Sequence, residues 1–257
     1  MSGLVRSIPA VIVRDSQEAS VSSFARSVLS VLERVEYRFC DSGEDLEAIY
    51  RLRYDSYLRV GMLRPNAMQM VIDSFDDLPN SYRFGVFYDG ELVSTLRLHH
   101  VTAAHPLSPS TEVFGDVLMP RLAAGETFVD PSRFAASAEW SSSLKVLPYV
   151  TLRLAMVASR YFKPDACLTA IKEEHSAFYK RVFMAECIVP GRTYPGLTVP
   201  VYLYQSRTPE AVDQAEMRFP FFRSTAFERR LLFQRPKHGE PAPLTVLPTA
   251  KYSLAAA

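Results

Sequence analysis

No apolar run in this chain approaches the roughly 20 residues needed to cross a bilayer as a helix. The N-terminal stretch Ile8 to Val13 is cut by Pro9 and followed by Arg14 and Asp15, too short and too broken for a signal peptide. A cytoplasmic protein without an integral membrane segment is therefore expected. An excess of charge is also missing: 29 Lys and Arg face 28 Asp and Glu, a net charge of +1, so nothing pulls the whole molecule toward nucleic acid. Cysteine is sparse, with Cys40, Cys167 and Cys187 far apart and odd in number, which excludes a disulfide framework and points to free thiols. His99, His100 and His105 have no regular ligand spacing, and no metal site is expected. There is no internal repeat, and residues 136–147 contain no glycine.

What remains is an ordinary globular composition, 48% hydrophobic and 22% charged, in 257 residues. Helical spacing of Val21, Phe24, Ala25, Val28, Leu29 and Leu32 predicts an amphipathic helix over 15–34. A short strand over 37–40 follows, then Ser42-Gly43-Glu44-Asp45 reads as a capping box for a helix ending at Gly61. Residues 71–80 read as a loop carrying Asp73, Asp76 and Asp77. Asp89-Gly90 between alternating stretches predicts a hairpin of 84–88 with 92–101. Its second strand should set Leu92, Ser94, Leu96 and Leu98 on one face and Val93, Thr95, Arg97 and His99 on the other. A strand over 127–136, a helix over 146–162, a strand over 167–171, a helix over 175–185 and a last strand over 197–204 complete the plan. Beyond it, residues 218–235 mix five Phe with five Arg, which suits docking of an acidic partner and a helix closing the domain equally well. The Pro-rich tail from 236 is expected to be poorly ordered.

This order predicts an α+β (mixed α/β) domain, a central, largely antiparallel sheet flanked by helices. The expected divisions are an N-terminal helical extension over 1–36, a main domain over 37–206, and a C-terminal extension over 207–257.

One strand is chemically odd. Val129-Asp130-Pro131-Ser132-Arg133-Phe134 puts a carboxylate and a guanidinium in an apolar run, with a Pro that cannot donate to a ladder. Three residues apart, Asp130 and Arg133 point to opposite faces of a regular strand; one extra bulged residue near Pro131 brings them to the same face. Such a bulge also frees backbone N–H groups to serve as an oxyanion hole. An ion pair with only a structural role is the competing reading.

Taken together, several motifs carry a resemblance. They are Tyr50-Arg51-Leu52-Arg53-Tyr54, Asp76-Asp77, Asp89-Gly90 through Leu98, Phe128 through Phe134, and His175 through Arg181. In this order they resemble the acyl-homoserine-lactone synthases and, more closely, the N-acyl amino acid synthases of the FeeM type, both relatives of the GNAT acyl-CoA N-acyltransferase fold. The resemblance spans about residues 37–205. It implies an enzyme, an acyltransferase moving a long-chain fatty acyl group onto the α-amine of an amino acid.

By match with those families, Arg53, Asp76, Arg97, Asp130 and Arg133 line the amine-acceptor site: Asp130 and Arg133 are the catalytic candidates and Arg53, Asp76 and Arg97 the substrate-binding ones, with Phe134 added as a wall of the acyl site. Asp130 departs from the Glu usual in the relatives. Guanidinium forks suit the acceptor carboxylate, and Asp130 suits removal of the ammonium proton. Tyr179 reads either as a general acid for the leaving thiol or as core, and His175 as structural. Leu147, Val150, Leu154 and Val157, with Phe134 and Leu168, are the expected tunnel wall for the acyl chain. Because a glycine-free segment does not readily wrap a pyrophosphate, acyl carrier protein is expected as donor in preference to acyl-CoA, with no further cofactor. The alternatives are an acyl-homoserine-lactone synthase and a non-catalytic acyl or carrier-protein binding module.

Overall fold

The computed structural model describes residues 21–194, 196–235 and 243–252. Its strands are β1 (Val35–Phe39), β2 (Ser81–Tyr88), β3 (Glu91–Val101), β4 (Phe128–Ala136), β5 (Ala166–Ile171), β6 (Glu186–Thr193) and β7 (Pro200–Arg207). They form one sheet in the order β1-β2-β3-β4-β5-β7-β6, antiparallel throughout except for the parallel pair β4–β5. The expected mixed α/β class and helix-flanked sheet are what is found.

The hairpin forms because Asp89 and Gly90 both take positive φ, 50° and 82°, the turn whose twist matches paired strands. The simple alternation expected along β3 fails at its start. Val86 pairs with Ser94 but Phe87 with Leu92, so Val93 is an extra residue. The bulge turns Leu92 toward Cys40, Ile49 and Tyr50, and puts Val93 in the main core with Leu96 and Leu98.

Helices cover both faces. On one lie α1 (Ser23–Leu32), α6 (Leu147–Phe162), α7 (Ser176–Phe183), α8 (Glu210–Arg218) and α9 (Ala226–Phe233), whose apolar residues share a core with Val86, Leu96, Leu98 and Val129. On the other lie α2 (Gly43–Arg59), α3 (Pro109–Val113) and α4 (Gly115–Ala123), over Val101, Phe128 and Leu203. Pro148 sits in the first turn of α6, where no hydrogen bond is lost. The residues expected as a capping box do not form one: Ser42 is the N-cap of α2, but its side chain makes no cap hydrogen bond. Glu44 and Asp45 favour that helix end through the dipole instead.

Several elements were not legible as such. Among them, Ala138–Ser143 (α5) fills the glycine-free segment after β4, and β6 runs through Pro190-Gly191. An edge position tolerates that dipeptide, and a Cβ on Gly191 would come within 2.9 Å of the Tyr202 ring. The last strand begins at Pro200, three residues later than expected.

The C-terminal region is built into the fold. Phe221, Phe222 and Phe233 are buried against α6, so the Phe and Arg mixture closes the domain. Residues 243–252 are not a loose tail: Val246 bridges to Tyr37, with hydrogen bonds of 3.0 and 2.8 Å. The rest of the Pro-rich tail, and the helix expected over 15–20, lie outside the described residues.

Candidate active site

The parallel pair β4–β5 is brief. Phe128 faces Ala166 and Val129 faces Cys167, and beyond these two positions the strands part. Pro131 lies just past the last pair and has no N–H to offer. On the other side β4 follows β3 through His99↔Asp130, Leu98↔Pro131 and Arg97↔Ser132, then resumes at Thr95↔Ala135. Two residues, Arg133 and Phe134, therefore stand opposite Leu96 alone. This is the expected bulge, displaced from Pro131 to Arg133. Arg133 takes φ 55°, a left-handed conformation that costs a non-glycine residue about 1–2 kcal/mol.

The bulge sets Asp130, Ser132 and Arg133 on the face that already carries Arg97 and His99. Asp130 and Arg133 do not pair with each other, which removes the reading of a simple ion pair between them. Asp130 is fully buried and accepts from Ser110 twice, from its N–H at 3.0 Å and its hydroxyl at 2.7 Å. These bonds dock the first turn of α3 onto β4 and fix the carboxyl group's orientation. Burial raises the Asp130 pKa above the ordinary carboxylate value, against the pull of the serine hydrogen bonds and Arg97.

Arg133 bonds to Asp73, from Nε at 3.0 Å and Nη2 at 2.5 Å. Arg97 grips the same carboxylate with both Nη atoms, at 2.5 and 3.2 Å, and donates from Nε to the Ser132 hydroxyl at 3.1 Å. Behind Asp73, the fully buried Arg53 donates to Asp76 at 2.9 Å, and Arg97 lies 3.0 Å from the same oxygen. Arg53 is thus an interior residue and does not snorkel to solvent. Three guanidiniums meet two carboxylates, leaving one positive charge over. Burial alone would raise the Asp73 pKa, but Arg97 and Arg133 override it and hold the carboxyl well below its usual range. Arg53 shows the reverse: burial, with Arg97 and Arg133 nearby, lowers its pKa despite Asp76, and its Nε and Nη2 have no hydrogen-bond partner among the described residues. His99 stands beside the cluster as a neutral ring, pushed down to about 3 by burial and by Arg97.

Where β4 and β5 part, a cavity of about 360 Å³ opens through the sheet. On the α2–α3 side it is bounded by Tyr57, Met62, Ser110, Asp130, Arg133 and Tyr194. On the α6 side its wall is apolar: Phe134, Leu152, Ala155, Met156, Phe178 and Val212. The Cys167 thiol lies in the wall too, and burial pushes its pKa up to about 12.

Residues 48–207, more than half of the chain, match the family of the N-acyl amino acid synthase FeeM. The chain belongs to this family. Among solved structures it is similar to FeeM, an N-acyl amino acid synthase from uncultured soil microbes, with a TM-score of 0.58 and 17% identity over 72% of this chain and 97% of that one. It is also similar to the AHL synthase LasI, with a TM-score of 0.49 and 16% identity over 69% of this chain and 93% of that one. No curated protein matches it in sequence. This FeeM-family chain is an acyltransferase that shares the fold of FeeM, and none of its described helices is long and apolar enough to cross a membrane.

In this family member the expected site residues fall into two groups. Asp130, Arg133 and Phe134 line the cavity, whereas Arg53, Asp76 and Arg97 stand behind it and reach it through Asp73. Sequence reasoning did not separate Asp73 from its neighbours. Asp77 instead pairs with Arg83 and is largely exposed. Ser110 was missed altogether; its only sequence signal is Ser108-Pro109, a helix start, since Ser108 caps α3. The expected tunnel wall is corrected. Leu147, Val150, Leu154 and Val157 are core, Leu168 belongs to the opposite core, and the cavity is faced by Leu152, Ala155 and Met156. His175 and Tyr179 both line the cavity, and burial raises the Tyr179 pKa.

Proposed function

We propose that this enzyme transfers a long-chain fatty acyl group from an acyl carrier protein thioester to the α-amine of an amino acid. One observation carries the reading: the cavity joins a cationic, carboxylate-matching face to an apolar chamber through the splay of β4 and β5. At about 360 Å³ it falls in the ~300–1,000 Å³ range of small-molecule sites. The acyl chain lies against Leu152, Ala155 and Met156, and the acceptor lies on the Arg133 side.

The acceptor carboxylate is drawn by the guanidiniums of the cluster, with Arg133 as its contact. Arg97, Arg53 and Asp76 are positioning residues that hold Asp73 and, through it, Arg133. Asp130 takes the proton from the attacking amine, and its raised pKa makes it a stronger base than an ordinary carboxylate. The amine nitrogen adds to the thioester carbonyl carbon. The oxyanion is met by backbone N–H groups that the bulge at Arg133 and Phe134 releases from the ladder. Collapse breaks the C–S bond and the thiolate leaves with a proton from solvent. Donor preference is supported by the absence of glycine from the segment after β4, which offers no flexible loop to wrap a pyrophosphate.

Incubating the purified enzyme with palmitoyl-acyl carrier protein and pooled amino acids, followed by mass spectrometry, tests this. The expected product is an N-palmitoyl amino acid. A lactone formed only with S-adenosylmethionine overturns the acceptor assignment, and equal or better turnover with palmitoyl-CoA overturns the donor assignment.

A further inference from the structure

The segment that leaves α2 and lines the cavity at Met62 is apolar in a way the reaction does not require. Between Asp55 and Asp73 the chain has no carboxylate, two arginines (Arg59 and Arg64), and Val60, Met62, Leu63, Met68, Met70, Val71 and Ile72. In this loop Met68 is 64% exposed, Val60 51% and Ile72 45%. Large apolar side chains grouped at this exposure mark an interaction surface. The loop is anchored at one end: Gly61 and Met62 accept, through their carbonyls, from the Thr198 hydroxyl at 2.6 Å and the Thr198 N–H at 3.0 Å. A second segment is thereby brought alongside, 193–206, which has no charged side chain at all and includes Leu197. Met62 and Leu197 both line the cavity, so the apolar rim continues into the chamber.

From this geometry we infer that the rim formed by residues 60–72 and 197–200 docks the enzyme on an anionic lipid bilayer. Charge complementarity favours a membrane of that kind: Arg59 and Arg64 are exposed, and beyond Asp55, one turn before Arg59 on α2, the chain carries no carboxylate until Asp73. Exposed apolar side chains enter the acyl boundary while the guanidiniums meet lipid phosphates. The position is also suited to a task. An amphiphile leaving the cavity past Met62 and Leu197 would enter the bilayer without exposing its chain to water. That purpose rests on the proposed acyl product, whereas the docking itself does not.

The test is co-flotation of the full-length protein with vesicles of phosphatidylglycerol and phosphatidylcholine, compared with pure phosphatidylcholine. Wild type is expected to float with the anionic vesicles, less so at high salt. The pair Met68→Ser with Ile72→Ser should weaken partitioning about tenfold or more, while turnover of a water-soluble short-chain donor and the melting temperature stay unchanged. Absence of flotation, or equal flotation of the variant, overturns the inference. So does a variant that loses binding to acyl carrier protein, or changes oligomeric state, with flotation intact. Failure of the amino acid acceptor assay alone would strike the proposed reaction and leave the docking untouched.

Discussion

Two buried groups of arginine and carboxylate lie on opposite faces of the sheet, and they are built differently. On the α6 face, Arg153 meets Glu228 in a fully buried pair and also donates to the Phe221 carbonyl at 2.8 Å and the Arg223 carbonyl at 2.6 Å. Glu228 in turn accepts from the Thr249 N–H at 3.0 Å. One cation meets one anion, and the remaining donors find backbone carbonyls. Burial works against the Arg153 charge, but Glu228 outweighs it and raises its pKa. On the α2 face, Arg53, Arg97 and Arg133 share Asp73 and Asp76, the Arg53 pKa is lowered, and donors of Arg53 are left without partners. The balanced pair ties the C-terminal segment to the core. In the proposed reaction the unbalanced cluster is the one that receives a further anion.

The comparison can be broken in several places. The largest expected effect is on Asp130, which sits between cavity and cluster: Asp130→Asn should lower turnover by ~10²–10⁴-fold with the folded state intact, as measured by steady-state kinetics and circular dichroism. Its sign with pH follows from the raised pKa. As a base Asp130 must be ionised, so the acid limb of kcat/KM should lie above the ordinary carboxylate range near 3.9 and vanish in the variant. In stability the protonated form is favoured by folding, so ionisation of Asp130 works against the fold as pH rises through its folded pKa.

Next comes the balanced pair. Glu228→Gln leaves a buried guanidinium without its counter-charge and should destabilise the protein by about 3–5 kcal/mol, seen as a lower denaturation midpoint. Unaltered stability would mean that the two groups are not distinguished by charge balance.

Arg133→Ala should instead cost only on the order of 1 kcal/mol of stability, the share of Arg133 in holding Asp73, and raise KM for the acceptor roughly ten- to a hundredfold, the ~1.5–3 kcal/mol of a hydrogen bond to a charged group. If KM holds and only the melting temperature falls, the cluster is structural, like the Arg153 pair. The smallest effect is expected at Asp73. Its pKa is depressed by Arg97 and Arg133, so its stabilisation is present above the unfolded value near 3.9 and is lost as pH falls toward the folded one. Asp73→Asn should flatten the acid limb of the stability curve by on the order of 1 kcal/mol, measured by urea unfolding from about pH 5 downward, where that limb lies.

Legibility in the sequence varied with the kind of signal. Arg97 could be set on its face because alternation along β3 is regular from Ser94 to His99, whereas the extra residue at Val93 left no mark in the hydrophobic pattern. Asp73, Asp76 and Asp77 occupy a loop without periodicity, and nothing local says which of them turns inward. On α6 both faces are apolar, so the stripe of Leu147, Val150, Leu154 and Val157 could be recognised but not distinguished in purpose from Leu152, Ala155 and Met156. The edge strand β6 was hidden by Pro190-Gly191, which reads as a turn wherever neighbours are unknown.

By itself, the sequence determined the hairpin, the mixed α/β plan and the family. It also pointed to a bulge near Pro131, because these depend on spacing within a few residues and on a Pro that cannot donate. Only the tertiary structure decided that the bulge falls at Arg133, that β5 leaves β4 after two pairs, and that Asp73 is the carboxylate gripped by both Arg97 and Arg133. The reason is physical. The cluster gathers side chains from α2, a loop and two strands, and the balance of burial against pairing that sets their charges exists only once those segments have excluded water together.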